Sequence, residues 1–557
     1  MDVLASAPLM NHNPPASAPQ PRSPLRAACL LFALVLVAGC GGGGGSAPAP
    51  APAPPPPASV TISGVAEFES VPNTAGGRLD YAARALRPIR GATVELIATT
   101  GAALASTRTD GAGQYSFTVA NPNAEVLVRV RAELRRSGAS GGNWDFTVRD
   151  NTSGEALWVV DSARFTPAAA QTQNLRAASG WNGSSYTVGA RAAAPFAILD
   201  VAYRATQKVL SASPNLSFPA LQVMWSPGNV PAVGSSEQEW AQGQIGTSFF
   251  TDYGGRRRLF LLGAADTDTD EYDSHVVAHE WGHYFQHALS RNDSVGGEHR
   301  AGDQLDMGVA LSEGWGNAWS GMALASPLYA DSLGPGQASG FVIDVSLAPG
   351  SNRGWFSEAS VHYLLWRFDQ DPGIGFGPIF NVMNGPLRTA STMASIHSFA
   401  AALKSALPAA VGTIDSLLQS QIITVADAVG STEVNNGGVS QALPIYRSYA
   451  GGTLQTCVTD SAGVPNKLGN FSYIRFTTMA GARTLTLSAV PGTSGTDPDF
   501  VLTRADGTQA NFDSDLTNIE STVTTLPAGT HTLALSDYNM RVAPSPIGQR
   551  CFNFSVQ

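Results

Sequence analysis

Hydrophobic and polar residues follow two periods along this chain, and the change from one to the other divides it. In the first third, residues 60–65, 92–97, 115–119, 126–132, 144–148 and 156–160 read in a period near two, broken by turn residues such as Asp110-Gly111 and Gly113. That alternation predicts short antiparallel strands. From about residue 192 the period lengthens. Residues 195–210 set Phe196, Ile198, Leu199, Ala202 and Val209 at helical spacing, and strands follow at 221–225 and 258–262. Helical patterns then dominate at 274–289, 305–324, 357–368, 391–406 and 414–423. After Gly437 the period of two returns in 471–477, 484–489, 500–504 and 530–536. Strands followed by a run of helices predict an α+β domain over 186–440, flanked by all-β sandwich domains at 59–185 and 441–557, with residues 124–185 either extending the first sandwich or covering the next domain.

The first 58 residues fit neither period. Arg22 and Arg26 precede an apolar run, 27–38, that ends in Val37-Ala38-Gly39-Cys40. A basic flank, about a dozen apolar residues and a small-residue end read as a secretory signal over 1–40, too short to span a bilayer. The last four residues resemble a bacterial lipobox, which implies lipidation of Cys40; cleavage with ordinary secretion stays open beside it. The stretch before Arg22 is long for such a leader, which makes Met10 or a later codon a candidate start. Residues 41–58 are glycines followed by an Ala/Pro tract and read as a stiff spacer. The expected location is extracytoplasmic, lipid-anchored to a bacterial membrane or secreted.

Composition narrows the functional classes. The chain has 557 residues, 33 basic against 43 acidic, and a net charge of −10. Without basic runs it is a poor partner for nucleic acid, and none is expected. The 43% hydrophobic content supplies sizeable cores. Of four cysteines, only Cys457 and Cys551 lie beyond the leader, near the two ends of the last β module. In an oxidising compartment they are expected to pair and close that module.

One motif carries chemistry: His279-Glu280-Trp281-Gly282-His283, inside the helical segment 274–289. Residues four apart share a helix face, so both imidazoles can reach one zinc ion, with Glu280 offset as a base for water. With 9 histidines and 15 glutamates in 557 residues, about 0.004 chance occurrences of this pattern are expected. A third ligand is needed. His287 shares the helix face at i+8 but reaches the metal only if the helix bends. Glu313 lies in an apolar, small-residue helix where an unpaired carboxylate is costly, so it is the expected ligand.

In these residues the sequence resembles the gluzincin peptidases. Residues 268–283 followed by Ser312-Glu313-Gly314-Trp315-Gly316 are most similar to the fungalysin-like branch. The resemblance implies a thermolysin-like α+β zincin fold, Zn2+ held by His279, His283 and Glu313, and Glu280 as general base and acid on a protein or peptide substrate. Family members place Asp where this chain has Asn317, implying that Asn317 orients a zinc histidine through its amide oxygen. The expected oxyanion stabiliser is His362 or Tyr363, with Tyr329 as another option. The first β module resembles a carboxypeptidase-regulatory-like sandwich, and the last resembles a pre-peptidase C-terminal domain.

Residues 255–263 are expected to form the sheet edge that pairs with substrate. Asp266, Asp268 and Asp270, ahead of the motif helix, suit Ca2+ by their alternating carboxylates; the alternative is a solvated loop supporting the helix N-terminus. Asp497 and Asp499 are a weaker calcium pair. The expected molecule is a monomeric zinc endopeptidase. Its rivals are a non-catalytic, zinc-stabilised surface adhesion protein and a zinc hydrolase with a non-protein substrate.

Overall fold

The strand Trp144–Asp150 shows why the first β region does not close on itself. Its side chains from Phe146 to Val148 are buried, and each of its edges finds a partner. On one side it pairs antiparallel with Val126–Arg136; on the other it pairs parallel with Leu221–Trp225. A parallel neighbour requires a crossover, and the helix Ala194–Ala212 supplies it. Arg256–Leu261 adds in parallel to Leu221–Trp225, and Phe249–Tyr253 closes the edge antiparallel. The sheet therefore runs through Phe249–Tyr253, Arg256–Leu261, Leu221–Trp225, Trp144–Asp150, Val126–Arg136, Ala92–Ala98 and Ala103–Arg108. A second sheet is built on the long strand Ser59–Ser70, which pairs with Gln114–Ala120, Ala85–Pro88 and two short parallel strands. The expected boundary at 185/186 thus falls within one sheet and one hydrophobic core. The pattern within each strand is legible; a partner 75 positions downstream is not.

This computed structural model describes residues 4–6 and 59–557, apart from 139–140, 187–190 and 515–516. The leader with Cys40 and the spacer lie, but for residues 4–6, outside the described residues. Among the described residues, no helix is long and apolar enough to cross a membrane. The whole is a mixed α/β molecule.

Helices cover one face of the large sheet. Ser274–Leu289, the motif helix, turns Trp281 and Tyr284 onto the sheet, where both rings meet Phe146 edge-on at 6.5 and 6.0 Å. Its other side meets the helix Met307–Leu324, buried along its entire length. Glu358–Gln370 packs behind that second helix. Phe376–Asn384 is a helix that the sequence pattern did not suggest; nine residues with Gly377 and Pro378 hold too little period to stand out.

The C-terminal region is a two-sheet sandwich with its own core, including Ile474, Leu487, Phe500, Leu533 and Phe552. Cys457 and Cys551 form a disulfide between directly opposed positions of neighbouring strands, Leu454–Val458 and Arg550–Val556. It joins the first and last strands of one sheet, rather than clasping two sheets together. Such a bond fits an extracytoplasmic protein.

The sandwich also holds the helical region. Asn466 donates from Nδ2 to the carbonyls of Gly296 and Gly297 at 2.7 and 2.9 Å. Lys467 Nζ donates to the Glu298 carbonyl at 2.7 Å, and the Tyr473 hydroxyl donates to the Asp306 carboxylate. Asp306 is the N-cap of Met307–Leu324 and accepts from the Gly308 N–H at 3.0 Å. These contacts tie the start of the second helix to the last module.

Candidate metal centre

Two helices approach closely enough to share a site because both carry glycine at the crossing. A Cβ on Gly282 would meet Gly316 Cα at 3.2 Å, and one on Gly316 would meet the His279 ring at 2.6 Å. Around this crossing Trp281 stacks on Trp319 at 5.3 Å, and Trp315 on Trp319 at 5.7 Å. The indoles seal the apolar side of the crossing and leave its other side to the imidazoles.

There the geometry brings together His279, His283 and Glu313. The two Nε2 atoms lie 3.0 Å apart, and Glu313 Oε2 stands 3.3 Å from His279 Nε2 and 3.5 Å from His283 Nε2. All three residues are buried, and their ligand atoms fall within 4.8 Å of one another. Burial opposes charge on His283, yet the adjacent Glu313 prevails and raises it to about 9. Burial alone would raise the Glu313 carboxyl; His283 and His299 outweigh it and hold it well below its ordinary range. The cluster therefore favours positive charge at its centre, and two imidazole nitrogens with one carboxylate oxygen form a set that fits zinc.

Each imidazole is oriented from behind. His279 Nδ1 lies 2.9 Å from Asn317 Oδ1, as expected for Asn317. His283 Nδ1 lies 3.2 Å from Ser312 Oγ, which donates to Gln286 Oε1 at 2.9 Å. A ring nitrogen held in this way leaves the other free to coordinate.

Glu280 sits beside the cluster with Oε2 buried and unpaired by any hydrogen bond. Burial, together with Glu313, pushes its carboxyl up to about 8; His283 and the Phe250 N–H pull the other way. Glu280, His283 and Glu313 line a cavity of about 300 Å³, whose opposite walls include Phe250, Asp252 and Gln509. Gln509 comes from the C-terminal sandwich, so that module reaches the cavity.

The edge strand is not the one anticipated. Arg256–Leu261 is the second strand, its two neighbours in place, and Phe249–Tyr253 is the edge. The arginines of Arg256–Leu261 are paired: buried Arg258 reaches the exposed Glu237, and the partly exposed Arg256 pairs with Glu155. His287 does not join the metal cluster; its Nε2 lies 2.8 Å from Asp252 Oδ2 on the edge strand.

Other expected residues fall elsewhere. His362 and Tyr363 do not line the cavity: His362 is buried with Nδ1 unpaired, and Tyr363 accepts a hydrogen bond from Arg367. Tyr329 is buried against the His279 ring, with centroids 6.0 Å apart. Of the acidic run, Asp268 and Asp270 converge with Asp331, and Asp266 stands outside that group. Asp273 stands at the N-cap of the motif helix but its side chain makes no capping bond; it accepts instead from the Ser332 N–H and hydroxyl at 3.0 and 2.6 Å. The sequence reading missed His299, Glu358 and Asp331. His299 Nε2 lies 3.7 Å from Glu313 and 3.4 Å from Glu358. The scarcity of histidine was the one signal that marked it.

No protein-family model matches the chain, and no curated protein does. Solved structures similar to parts of it include the pre-peptidase C-terminal domain of collagenase from Bacillus anthracis, at 12% identity and TM-score 0.16, over 20% of this chain and 94% of that one. Another is a family 35 carbohydrate-binding module from Cellvibrio japonicus, at 12% identity and TM-score 0.12, over 19% of this chain and 96% of that one. A third is the periplasmic lysozyme inhibitor PliG of Salmonella Typhimurium, at 12% identity and TM-score 0.14, over 20% and 98%. These likenesses cover about a fifth of the chain and are too low in TM-score to bear on its chemistry.

Proposed function

We propose that the protein is an exported zinc-dependent endopeptidase of gluzincin type, with a zincin-like domain between two β regions. The observation that carries this reading is the convergence of His279, His283 and Glu313 beside a buried, unpaired Glu280 oxygen. A purely structural metal site has no use for such a base.

The edge strand Phe249–Tyr253 supplies a backbone template for an extended peptide at the cavity mouth. That pairing sets a scissile carbonyl beside the cluster and excludes bulk water from it. His279, His283 and Glu313 would hold the zinc ion, which would supply Lewis acidity toward the carbonyl and toward water. Glu280 accepts the proton of the attacking water and returns it to the leaving amine. Burial raises the Glu280 carboxyl, and a dication held beside it would lower it again and favour the ionised, accepting form. Asn317 and Ser312 hold the two imidazoles in place throughout.

Glu280→Gln tests the assignment. The variant is expected to keep one zinc per chain and lose casein cleavage by at least about a hundredfold. Turnover retained within a few-fold overturns the reading. Membrane attachment through Cys40 belongs to the same proposal and is read by palmitate labelling of the full chain, which Cys40→Ser abolishes.

A further inference from the structure

Asn317 occupies the place from which a carboxylate would orient His279, and an amide is a weaker partner than a carboxylate for an imidazole N–H. The structure shows where the missing charge is kept. Asn317 is fully buried; its Oδ1 faces His279 Nδ1 at 2.9 Å, and its Nδ2 donates to Glu358 Oε1 at 2.5 Å. The other Glu358 oxygen lies 3.4 Å from His299 Nε2, and that nitrogen lies 3.7 Å from Glu313 Oε2. Burial raises the Glu358 carboxyl; His299, the Asn317 hydrogen bond and the start of the helix Glu358–Gln370, where Ser357 caps the first turn, oppose that rise and favour its negative charge.

We propose that Glu358 is a positioning residue of the metal centre: through the Asn317 amide it fixes the tautomer of His279 and lends that ligand the negative charge Asn317 lacks. The geometry orders the hydrogens along the chain. A carboxylate only accepts, so the Asn317 NH2 must face Glu358. The amide oxygen then faces His279 Nδ1, which must carry the hydrogen. His279 Nε2 is left with its lone pair directed at His283 and Glu313, where a cation is to be held. His299 Nε2 stands between the Glu358 and Glu313 carboxylates, within 3.4 and 3.7 Å of them. The relay spans three elements, and no local spacing announces it. This inference rests on the zinc reading above, and its test separates the two.

The experiment exchanges amide and carboxylate. Zinc affinity of the full chain is measured by chelator competition for wild type, Glu358→Gln, Asn317→Asp and the double variant, with the melting temperature of each metal-free protein as a check on folding. Glu358→Gln keeps a hydrogen-bonded amide chain but removes the charge, and is expected to weaken zinc about tenfold or more. Asn317→Asp sets two carboxylates against each other and is expected to lower the metal-free melting temperature. The double variant moves the carboxylate onto His279 directly, with the amide introduced at position 358 donating to it, and is expected to bind zinc within about threefold of wild type. Rescue by relocation is a result that a merely structural Glu358 does not produce. The relay alone is overturned if Glu358→Gln binds zinc like wild type, or if the double variant binds no better than the singles. Wild type without one zinc that His279→Ala removes overturns the zinc reading and the relay with it.

Discussion

A Cβ placed on Gly316 would lie 2.6 Å from His279 Cε1 and 2.8 Å from both ring nitrogens. Glycine at 316 is therefore the condition for an imidazole to lie flat against the second helix. Gly316→Ala is expected to drive the helices apart, weakening zinc at least tenfold and costing about 1–3 kcal/mol of stability from overpacking. Gly412 supplies the contrast: it sits in Val411–Ser420 with open space around its Cβ position. Gly412→Ala should stabilise by about 0.5–1 kcal/mol. Metal titration and thermal unfolding of both variants check the pair.

Burial pushes His275 and His362 down to about 4 each. Their unfolded values lie near 6.5. Between about pH 6.5 and pH 4 the unfolded chain binds more protons at these positions, so their contribution to stability is full above that window and is lost as pH falls through it. The buried carboxyls Asp268, Asp270 and Asp273 are raised, chiefly by burial, and act in the opposite sense, losing stability as pH rises. The difference between wild type and His362→Leu isolates one histidine. Denaturant unfolding should show that difference changing steadily from pH 6.5 to 4 and constant above; a flat difference across the window refutes it. The same assay with millimolar calcium tests the cation expected from the acidic run, whose binding would raise wild-type stability and not that of Asp331→Asn.

The disulfide closes a long segment, with Cys457 and Cys551 separated by 94 positions. Loop-closure entropy of that size is worth about 2–5 kcal/mol. Cys457→Ser with Cys551→Ser, or reduction, is expected to lower the melting temperature of the C-terminal sandwich by that equivalent, read by calorimetry with and without reductant.

Tyr473 donates to the buried Asp306 carboxylate, the cap of the second helix. Tyr473→Phe leaves that carboxylate short of a partner and is expected to cost about 1–3 kcal/mol. Because Asp306 starts the helix that carries Glu313, the proposed peptidase activity should fall in parallel at temperatures near the transition. Truncation after residue 440 is expected to give insoluble protein, since it removes Asn466, Lys467 and Tyr473 together; solubility and circular dichroism decide it.

Local spacing determined a great deal here. An i, i+4 pair of histidines on one helical segment settles that both face one point, because helix geometry is the same wherever the segment packs. The motif helix Ser274–Leu289 and the strand Leu221–Trp225 lie where their periodicity places them, and the Cys457–Cys551 pair forms. Glu313 stands out as the one carboxylate in the segment 307–324, and its Oε2 lies 3.3 Å from His279 Nε2.

Tertiary structure decided what periodicity does not encode. Which strand becomes the sheet edge depends on pairing order, and Phe249–Tyr253 took that place from Arg256–Leu261. Asp331 joins Asp268 and Asp270 from a strand some 60 positions downstream, and Asp266, adjacent in sequence, does not. His299 and Glu358 come to Glu313 and Asn317 from separate elements, brought there by two glycine-lined helices and a C-terminal sandwich that grips the Gly296–Glu298 backbone. Spacing within a helix is short-range geometry, legible from one dimension; convergence between elements is set by the packing of the whole core.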